Sequence, residues 1–291
     1  MKPLTLKGCG TALFTPFRNG QVDEAALAAT VRRQAEAGVH FLVPLGTSGE
    51  TPCLGVEERR RVLAITRENA PGLTLLAGAG TNSLQGTLQG IAQLPGADAY
   101  LIVVPYYNKP NQTGLYEYFK AVADGTDKPV VIYNVPGRTG ANIAAETTLR
   151  LAEEVPNIVA VKEASSNYKQ ISEIIRRKPE GFSVLSGNDD ETLALMATGA
   201  DGVISVASNI APHEMAALAE ALLRDDMPAA RALHHRLSPL FRACFVESNP
   251  IPGKAAMARL GLMANELRLP LVPASKTTEE IVAQVLDALW K

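Results

Sequence analysis

One lysine stands where a lysine is unusual: Lys162 lies near the end of the apolar, β-branched run from Ile158 to Val161. Pro156-Asn157 and Ser165-Ser166-Asn167 bound this run, which predicts a short strand buried on both faces. Burial disfavours the ammonium form of a lysine, and a free amine attacks carbonyl carbon. We therefore interpret Lys162 as a candidate Schiff-base nucleophile. The alternative is a lysine whose stem covers apolar surface while its ammonium reaches water or pairs with Glu163.

A second candidate is the segment GTSGE, Gly46 to Glu50, which follows another apolar run. Its small residues, together with the hydroxyls of Thr47 and Ser48, let backbone N–H groups approach an anion such as a carboxylate. The alternative is an ordinary turn that leads into a helix. The segment becomes informative if it lies close to Lys162.

Tyrosines and an arginine follow two further apolar runs. Tyr106 and Tyr107 stand in PYYNKP, and Tyr133 and Arg138 stand in YNVPGRTG. A phenol can relay protons when it is hydrogen-bonded to other hydroxyls, and an arginine fork fits a carboxylate. Each tyrosine alone is more often a packing residue, so these side chains point to chemistry only in combination with a buried amine.

Other polar groups favour structural roles. The four histidines, at positions 40, 213, 234 and 235, lack the spacing of metal ligands, so we predict no metal site. Asp189, Asp190 and Glu191 precede an expected helix, where acids serve as caps and dipole partners. Gly78 and Gly80 lack the third glycine and the downstream acid of a dinucleotide motif, which favours a tight turn at a strand end and predicts no such cofactor.

All these candidates follow strands in a repeated strand-then-helix pattern, which occurs eight times in units of roughly 20 to 35 residues. Continuous Val, Ile and Leu runs that alternate with helices predict an all-parallel sheet, and eight units match a (β/α)8 TIM barrel. An open doubly wound sheet is the alternative. We assign residues 1–225 to the barrel and residues 226–291 to a C-terminal helical extension packed on it, within one continuous domain. The expected strands lie in GTALFTPF, GVHFLVPLG, LTLLAGAG, DAYLIVVPYY, PVVIYNVP, IVAVKEAS, FSVLSG and DGVISVAS.

Composition sets limits on the class of protein. The chain has 291 residues, a net charge of -2 and a 46% hydrophobic share, enough for a large core. Lys and Arg are dispersed, which argues against a nucleic-acid partner and favours a small-molecule substrate. No apolar segment approaches the ~20 residues that span a bilayer, and the N-terminus lacks the apolar core of a signal peptide. Three separated cysteines argue against a disulfide framework, so we expect a cytoplasmic protein.

The order of these motifs along the chain is itself informative. GTSGE, PYYNKP, YNVPGRTG, VKEAS, SGNDD and GADGVISVASN, at these barrel positions, resemble the dihydrodipicolinate synthase family. The resemblance runs from about Gly8 to beyond NPIPGKAA, Asn249 to Ala256. The wider superfamily shares the GTSGE-like turn, the tyrosine of YNVP and the strand lysine with sialic-acid and keto-deoxy-sugar aldolases. Those features therefore indicate Schiff-base chemistry, while Arg138 and the PYYN tyrosines resemble the synthase in particular.

The resemblance implies condensation of pyruvate with aspartate 4-semialdehyde, without a cofactor. Lys162 is then expected to form the imine with pyruvate, and Tyr133 to donate and accept protons. Thr47 and Tyr107 would complete a hydroxyl relay. Tyr107 is expected to come from the neighbouring subunit of a tight dimer, within a homotetramer that is a dimer of dimers.

Binding roles follow from the same resemblance. Ser48 and the backbone near Ile204 would hold the pyruvate carboxylate, and Arg138 would receive the carboxylate of the aldehyde. A related pyruvate-dependent aldolase that acts on a sugar acid, such as N-acetylneuraminate or a 2-keto-3-deoxy acid, is the alternative. A barrel that only senses a small carboxylate is a third possibility.

This sequence also departs from the family pattern. Lysine-inhibited bacterial members carry histidines in the stretch that here reads CLGVEERR, including Val56 and Arg59, and an acid at the position of Gly86. The departures argue against feedback inhibition by lysine. Gly253 replaces a larger apolar residue in NPIPG, which predicts a local change in packing.

Overall fold

Eight short parallel strands close into a barrel in the computed structural model, which describes residues 4–290. Around the barrel the strands follow the order β1-β10-β9-β8-β7-β6-β5-β4, and β4 closes on β1. The predicted (β/α)8 fold is confirmed, since each barrel strand is followed by helical structure. The barrel strands are β1 (Gly8–Ala12), β4 (Phe41–Val43), β5 (Thr74–Gly78), β6 (Ala99–Val103), β7 (Val130–Asn134), β8 (Ile158–Glu163), β9 (Ser183–Ser186) and β10 (Gly202–Ser205). A small antiparallel hairpin, β2 (Phe17–Arg18) and β3 (Gln21–Val22), follows β1.

Helices surround the barrel, and several begin at side-chain caps that the sequence provides. Asp23 accepts a hydrogen bond from Ala26 N at the start of α1, and Asn111 accepts one from Gly114 N at the start of α4. The helices are α1 (Glu24–Glu36), α2 (Val56–Asn69), α3 (Leu84–Ala92), α4 (Gln112–Asp124), α5 (Pro136–Thr139), α6 (Ala145–Glu154), α7 (Tyr168–Arg177), α8 (Thr192–Ala197), α9 (Pro212–Leu223), α10 (Met227–Ala243), α11 (Ile251–Arg259) and α12 (Lys276–Leu289).

The core forms two layers, one inside the barrel and one between the barrel and its helices. Alternation along a strand sends neighbouring side chains to opposite layers. On β7, Val131 and Tyr133 face the barrel interior, while Val130 and Ile132 face the helices. A register shift at the start of β8 pairs Val130 with Ile158 and Val131 with Ala160. This bulge decides which residues of β8 face inward.

The C-terminal helices pack on one side of the barrel. Helix α10 contacts α9 and α12, and α11 contacts α12. Gly253 in α11 faces the ring of Phe14, and a β-carbon there would lie 2.4 Å from Phe14 Cζ. That close contact gives the physical reason for a small residue at this position. Residues 1–3 and Lys291, the outer ends of the two predicted segments, lie outside the described residues.

Candidate active site

Lys162 and Tyr133 are direct neighbours on adjacent strands. In the parallel register of β7 and β8, Tyr133 pairs with Lys162 and Asn134 pairs with Glu163. The Lys162 side chain faces the barrel interior, where the residue is 6% exposed, and its Nζ lies 4.2 Å from the centre of the Tyr133 ring. Within residues 4–290 this Nζ forms neither a salt bridge nor a hydrogen bond to protein. An amine in this position is open to an electrophile that enters the cavity.

Glu163 is not the partner of Lys162, because it points to the opposite face of β8. Its fully buried carboxylate accepts hydrogen bonds from Ser165 Oγ at 2.6 Å, Asn134 Nδ2 at 2.9 Å and Gln170 Nε2 at 3.0 Å. Burial raises the pKa of the Glu163 carboxyl, although the three donors oppose this effect. The Asn134–Glu163 bond joins the residues that follow the inward pair, so it holds Lys162 level with Tyr133.

The GTSGE segment forms a tight 3₁₀ turn, Thr47–Gly49, after β4. Leu45 and Glu50 bracket the turn in left-handed backbone conformations, with φ of 62° and 51°. The chain passes so close to Gly78 that a β-carbon there would lie 1.9 Å from Leu45 O. This contact explains the glycine at the end of β5 as a close-packing requirement. The turn presents Thr47 and Ser48 to the same cavity as Lys162.

Arg138 lies in α5, directly after β7, and also lines this cavity. Its Nη2 donates to the backbone oxygen of Asn249 at 3.3 Å. Asn249 Nδ2 in turn donates to Ser48 Oγ at 3.0 Å. Asn249, just before α11, therefore links the arginine to the Thr47–Gly49 turn, which we call the hydroxyl turn. Asn249 was not among the predicted site residues, although its place in the NPIPG break was a usable signal.

The cavity has a narrow inner part and a wide outer part. The inner part, about 50 Å³, is lined by Lys162, Tyr133, Thr47, Ser48 and Arg138 among others. The outer part, about 430 Å³, shares Thr47, Tyr133 and Arg138 and opens towards Tyr106 and Arg59. Its size falls within the range of small-molecule sites, roughly 300 to 1,000 Å³. Two small carboxylic acids could therefore be held in sequence, with the amine at the inner end.

Two predicted residues do not line this cavity. Tyr107 lies in the loop after β6 with φ of 73°, its backbone N–H donates to Thr139 O at 3.3 Å, and the residue is 88% exposed. Ile204 on β10 is fully buried in the barrel interior, two residues before Val206, which does line the cavity. The expectation for Ile204 concerned its backbone, so its inward side chain is compatible with that role.

The capping role predicted for Asp189 is wrong. Asp189 Oδ2 accepts hydrogen bonds from Val206 N at 3.0 Å and Ala207 N at 2.9 Å, in the turn that follows β10. The residue thus joins two strand-end loops. Burial raises the pKa of its carboxyl, and Oδ1 has no hydrogen-bond partner among residues 4–290. No cluster of three or more possible metal ligands occurs within the described part of the chain.

An inward lysine beside a tyrosine, at the carboxyl end of the sixth barrel strand, defines a (β/α)8 lyase of the class I aldolase type. The chain belongs to the dihydrodipicolinate synthetase family, whose model matches residues 5–289. It is 46% identical over 281 residues to the 4-hydroxy-tetrahydrodipicolinate synthase of Thermosipho melanesiensis, which covers 96% of this chain and 97% of that protein. The enzyme of the same name from Oleidesulfovibrio alaskensis is 46% identical, with 98% of each chain covered.

Solved structures agree with this assignment. The dihydrodipicolinate synthase of Thermotoga maritima superposes with a TM-score of 0.97 at 44% identity, covering 98% of this chain and 99% of that one. The chloride-inhibited synthase of Acinetobacter baumannii, solved in complex with pyruvate, gives a TM-score of 0.95 at 37% identity, over 98% of this chain and 99% of that one. The similarity covers the barrel and the C-terminal helices alike.

Proposed function

We propose that this protein is a 4-hydroxy-tetrahydrodipicolinate synthase that condenses pyruvate with L-aspartate 4-semialdehyde, at the start of diaminopimelate and lysine biosynthesis. The observation that carries the proposal is the inward-facing Lys162 beside Tyr133, in a cavity that Arg138 and the Thr47–Gly49 turn also line. The names of the relatives support the choice of reaction.

The chemistry follows from the position of the amine. Lys162 Nζ attacks C2 of pyruvate and water leaves, which gives a cationic imine. The positive charge makes the methyl protons acidic, and loss of one gives an enamine whose carbon attacks the aldehyde. The amino group of the semialdehyde then attacks C2 and displaces Lys162, so the ring closes and the free amine returns. Tyr133, as the phenol nearest Nζ, moves the protons in these steps.

Carboxylate binding is divided between two places in the cavity. Ser48 and the backbone near Ile204 hold the carboxylate of pyruvate, and Arg138 receives that of the semialdehyde through its guanidinium N–H groups. An arginine fork suits a planar carboxylate better than a sugar hydroxyl, which favours the synthase over a sugar-acid aldolase.

The proton relay also involves Tyr107 of a second subunit. No hydrogen bond joins Thr47 to Tyr133 within one protomer over residues 4–290. Tyr107 cannot complete the relay of its own protomer in this conformation, because it is 88% exposed and does not line the cavity. A tight dimer in which each subunit supplies Tyr107 to its partner, assembled as a dimer of dimers in the cytoplasm, is part of the proposal. Among the described residues, no helix is long and apolar enough to cross a membrane.

Reductive trapping tests the nucleophile. Pyruvate plus borohydride is expected to add a stable mass to the Lys162 peptide, and Lys162→Ala to abolish both the label and nearly all turnover. Lys169→Ala, a change at an exposed lysine near the start of α7, serves as the matched control and should keep both. A reaction that leaves the Lys162 peptide unlabelled in the active parent would contradict the mechanism. Bound pyruvate with neither imine nor product would favour a sensor.

Arg138→Ala tests the second substrate. We expect KM for aspartate 4-semialdehyde to rise about 100-fold or more while KM for pyruvate changes far less, because a charged hydrogen bond contributes about 1.5 to 3 kcal/mol and the fork makes two. Initial rates at varied concentrations of each substrate measure the difference. Cleavage of N-acetylneuraminate or a 2-keto-3-deoxy acid by the parent, without turnover of the semialdehyde, would establish the sugar-acid aldolase instead.

A further inference from the structure

A buried ion pair lies directly behind the hydroxyl turn. Lys254 Nζ of α11 and Glu50 Oε1 are 2.7 Å apart, and both side chains are completely shielded from solvent. The other carboxylate oxygen of Glu50 accepts a hydrogen bond from Arg268 N at 3.0 Å, and Lys254 Nζ lies 4.3 Å from the centre of the Phe17 ring. Burial lowers the pKa of the Lys254 ammonium, and the adjacent carboxylate opposes that change.

Stability alone is a weak reason for such a pair. Two charges lose their hydration on burial, and packed hydrophobic residues of similar volume often replace a buried ion pair with no loss of stability. Such pairs are better attested as devices that fix one geometry. The Lys254–Glu50 pair joins α11 to the end of the hydroxyl turn, so these are the two segments whose relative position it can fix.

Glu50 is the residue directly after the hydroxyl turn, and its backbone is left-handed. It follows Thr47–Gly49 with φ of 51°, a left-handed conformation that glycine adopts at lower cost. A glutamate in this position therefore accepts a backbone penalty while its carboxylate reaches Lys254.

Helix α11 contacts the turn at a second point as well. Asn249, one residue before the cap of α11, donates to Ser48 Oγ, while Lys254 holds Glu50. The turn is thus attached at its middle and at its end to the same C-terminal segment. That segment lies in the extension, outside the strand-then-helix repeat.

We propose that Lys254 is a positioning residue, which acts through Glu50 to hold the Thr47–Gly49 turn in the orientation that binds the carboxylate of pyruvate. This inference rests on the proposed function, because it assigns the turn to pyruvate. It makes the C-terminal extension a working part of the active site. The expected signature is a weakened affinity for pyruvate with little change in kcat.

The double variant Glu50→Leu/Lys254→Met separates positioning from stability. Leu45 shows that leucine is accepted in the left-handed conformation at this turn. We expect a folded protein with a modestly lower thermal midpoint, because Arg268 N loses its acceptor. KM for pyruvate should rise about tenfold or more, with a nearly unchanged kcat. The pyruvate concentration that half-saturates borohydride labelling of Lys162 should rise by the same factor. That second readout does not depend on the other substrate.

Two further variants complete the test. Glu50→Gln/Lys254→Gln keeps a neutral hydrogen bond and should restore part of the affinity for pyruvate. The matched control is Lys178→Met/Asp201→Asn, which removes a partly buried ion pair just before β10, at the opposite end of the barrel. The control should lower the thermal midpoint and leave the pyruvate concentration for half-maximal labelling unchanged.

The outcomes are distinguishable. An unchanged affinity for pyruvate in the folded leucine–methionine variant would overturn the proposal. Unfolding of both Glu50/Lys254 variants, with the control folded, would overturn it too, because the pair would then serve stability. Failure of the parent to form an imine with pyruvate would instead contradict the proposed function.

Discussion

At the residue scale, Lys162 is available for reaction because the neighbouring carboxylate, Glu163, is hydrogen-bonded to other residues. Glu163, the adjacent carboxylate, is occupied by Asn134, Ser165 and Gln170 on the outer face of β8. The arrangement leaves Lys162 without a carboxylate partner among residues 4–290. Alternation along a single strand is enough to separate the two groups, which stand next to each other in the chain.

Asp189 gives a pH-dependent prediction at the same scale. Burial raises the pKa of its carboxyl in the folded state, and the neighbouring groups Asp190, Cys9 and Cys244 supply no positive charge. A raised folded-state pKa means that the folded protein binds the proton more tightly than the unfolded chain does. The contribution to stability is therefore fully present below about pH 4 and is lost as pH rises through the folded-state pKa.

The variant Asp189→Asn removes this titration, while its amide oxygen can still accept from the N–H groups of Val206 and Ala207. We expect the free energy of unfolding of the variant, relative to the parent, to increase from pH 4 upwards and then to level off. Urea unfolding of both proteins at several pH values measures the difference. A pH-independent difference would show that the buried carboxyl titrates alike in both states.

At the element scale, helices α2 and α3 carry the positions at which this sequence departs from lysine-inhibited members of the family. Arg59 of α2 lines the outer cavity, and Gly86 lies in the first turn of α3, where Ser83 caps the helix. Glu50, the one carboxylate residue that lines the outer cavity within the described chain, is paired with Lys254. A cationic side chain entering there would meet Arg59 without a free carboxylate to pair with.

We therefore expect L-lysine at millimolar concentration to leave the rate of condensation unchanged. Initial rates with and without lysine, at subsaturating pyruvate, test this expectation, and calorimetric titration with lysine should show no binding heat. Arg59→Ala provides a comparison that removes the repulsive charge. Inhibition of the parent by lysine would contradict the prediction.

Elements differ in how far the sequence predicts them. Helix α4, Gln112–Asp124, has both of its ends marked in the local sequence, because Asn111 caps its start and Gly125 follows its end. The role of Asp189 escaped prediction because its partners, Val206 and Ala207, lie on a different loop and meet it only in the closed barrel. Lys254 was missed although it interrupts the apolar run IPGKAAM, the same kind of signal that identified Lys162. Features fixed by near neighbours in the chain, such as the cap of α4, could be predicted. The roles of Asp189 and Lys254 could not, because their partners lie far away in the sequence.

At the scale of the whole molecule, the exposed Tyr107 makes the assembly testable. If each subunit completes the site of its partner, a Tyr107→Phe subunit keeps a usable Lys162 and can borrow Tyr107 from a Lys162→Ala subunit. Each homogeneous variant should be nearly inactive. Random reassociation of equal amounts should restore about one quarter of the parent activity, since half of the dimers are mixed and each has one complete site.

Activity of the mixture after subunit exchange, compared with the separate variants at the same concentration, is the measurement. Tyr168→Phe, a change at a half-exposed tyrosine on α7, replaces Tyr107→Phe in the control and should remain active before mixing. Absence of any recovery in mixed dimers would place the whole relay within one chain.

The bulge between β7 and β8 has a consequence for handling the protein. A slip of one residue in the pairing of β8 would send Lys162 outward and bring Glu163 into the barrel. Only a barrel with the native register can then form the imine with pyruvate, so the fraction of chains labelled by borohydride equals the fraction with that register. In a refolding mixture, the labelled fraction would therefore measure the share of molecules in which β8 has the native register.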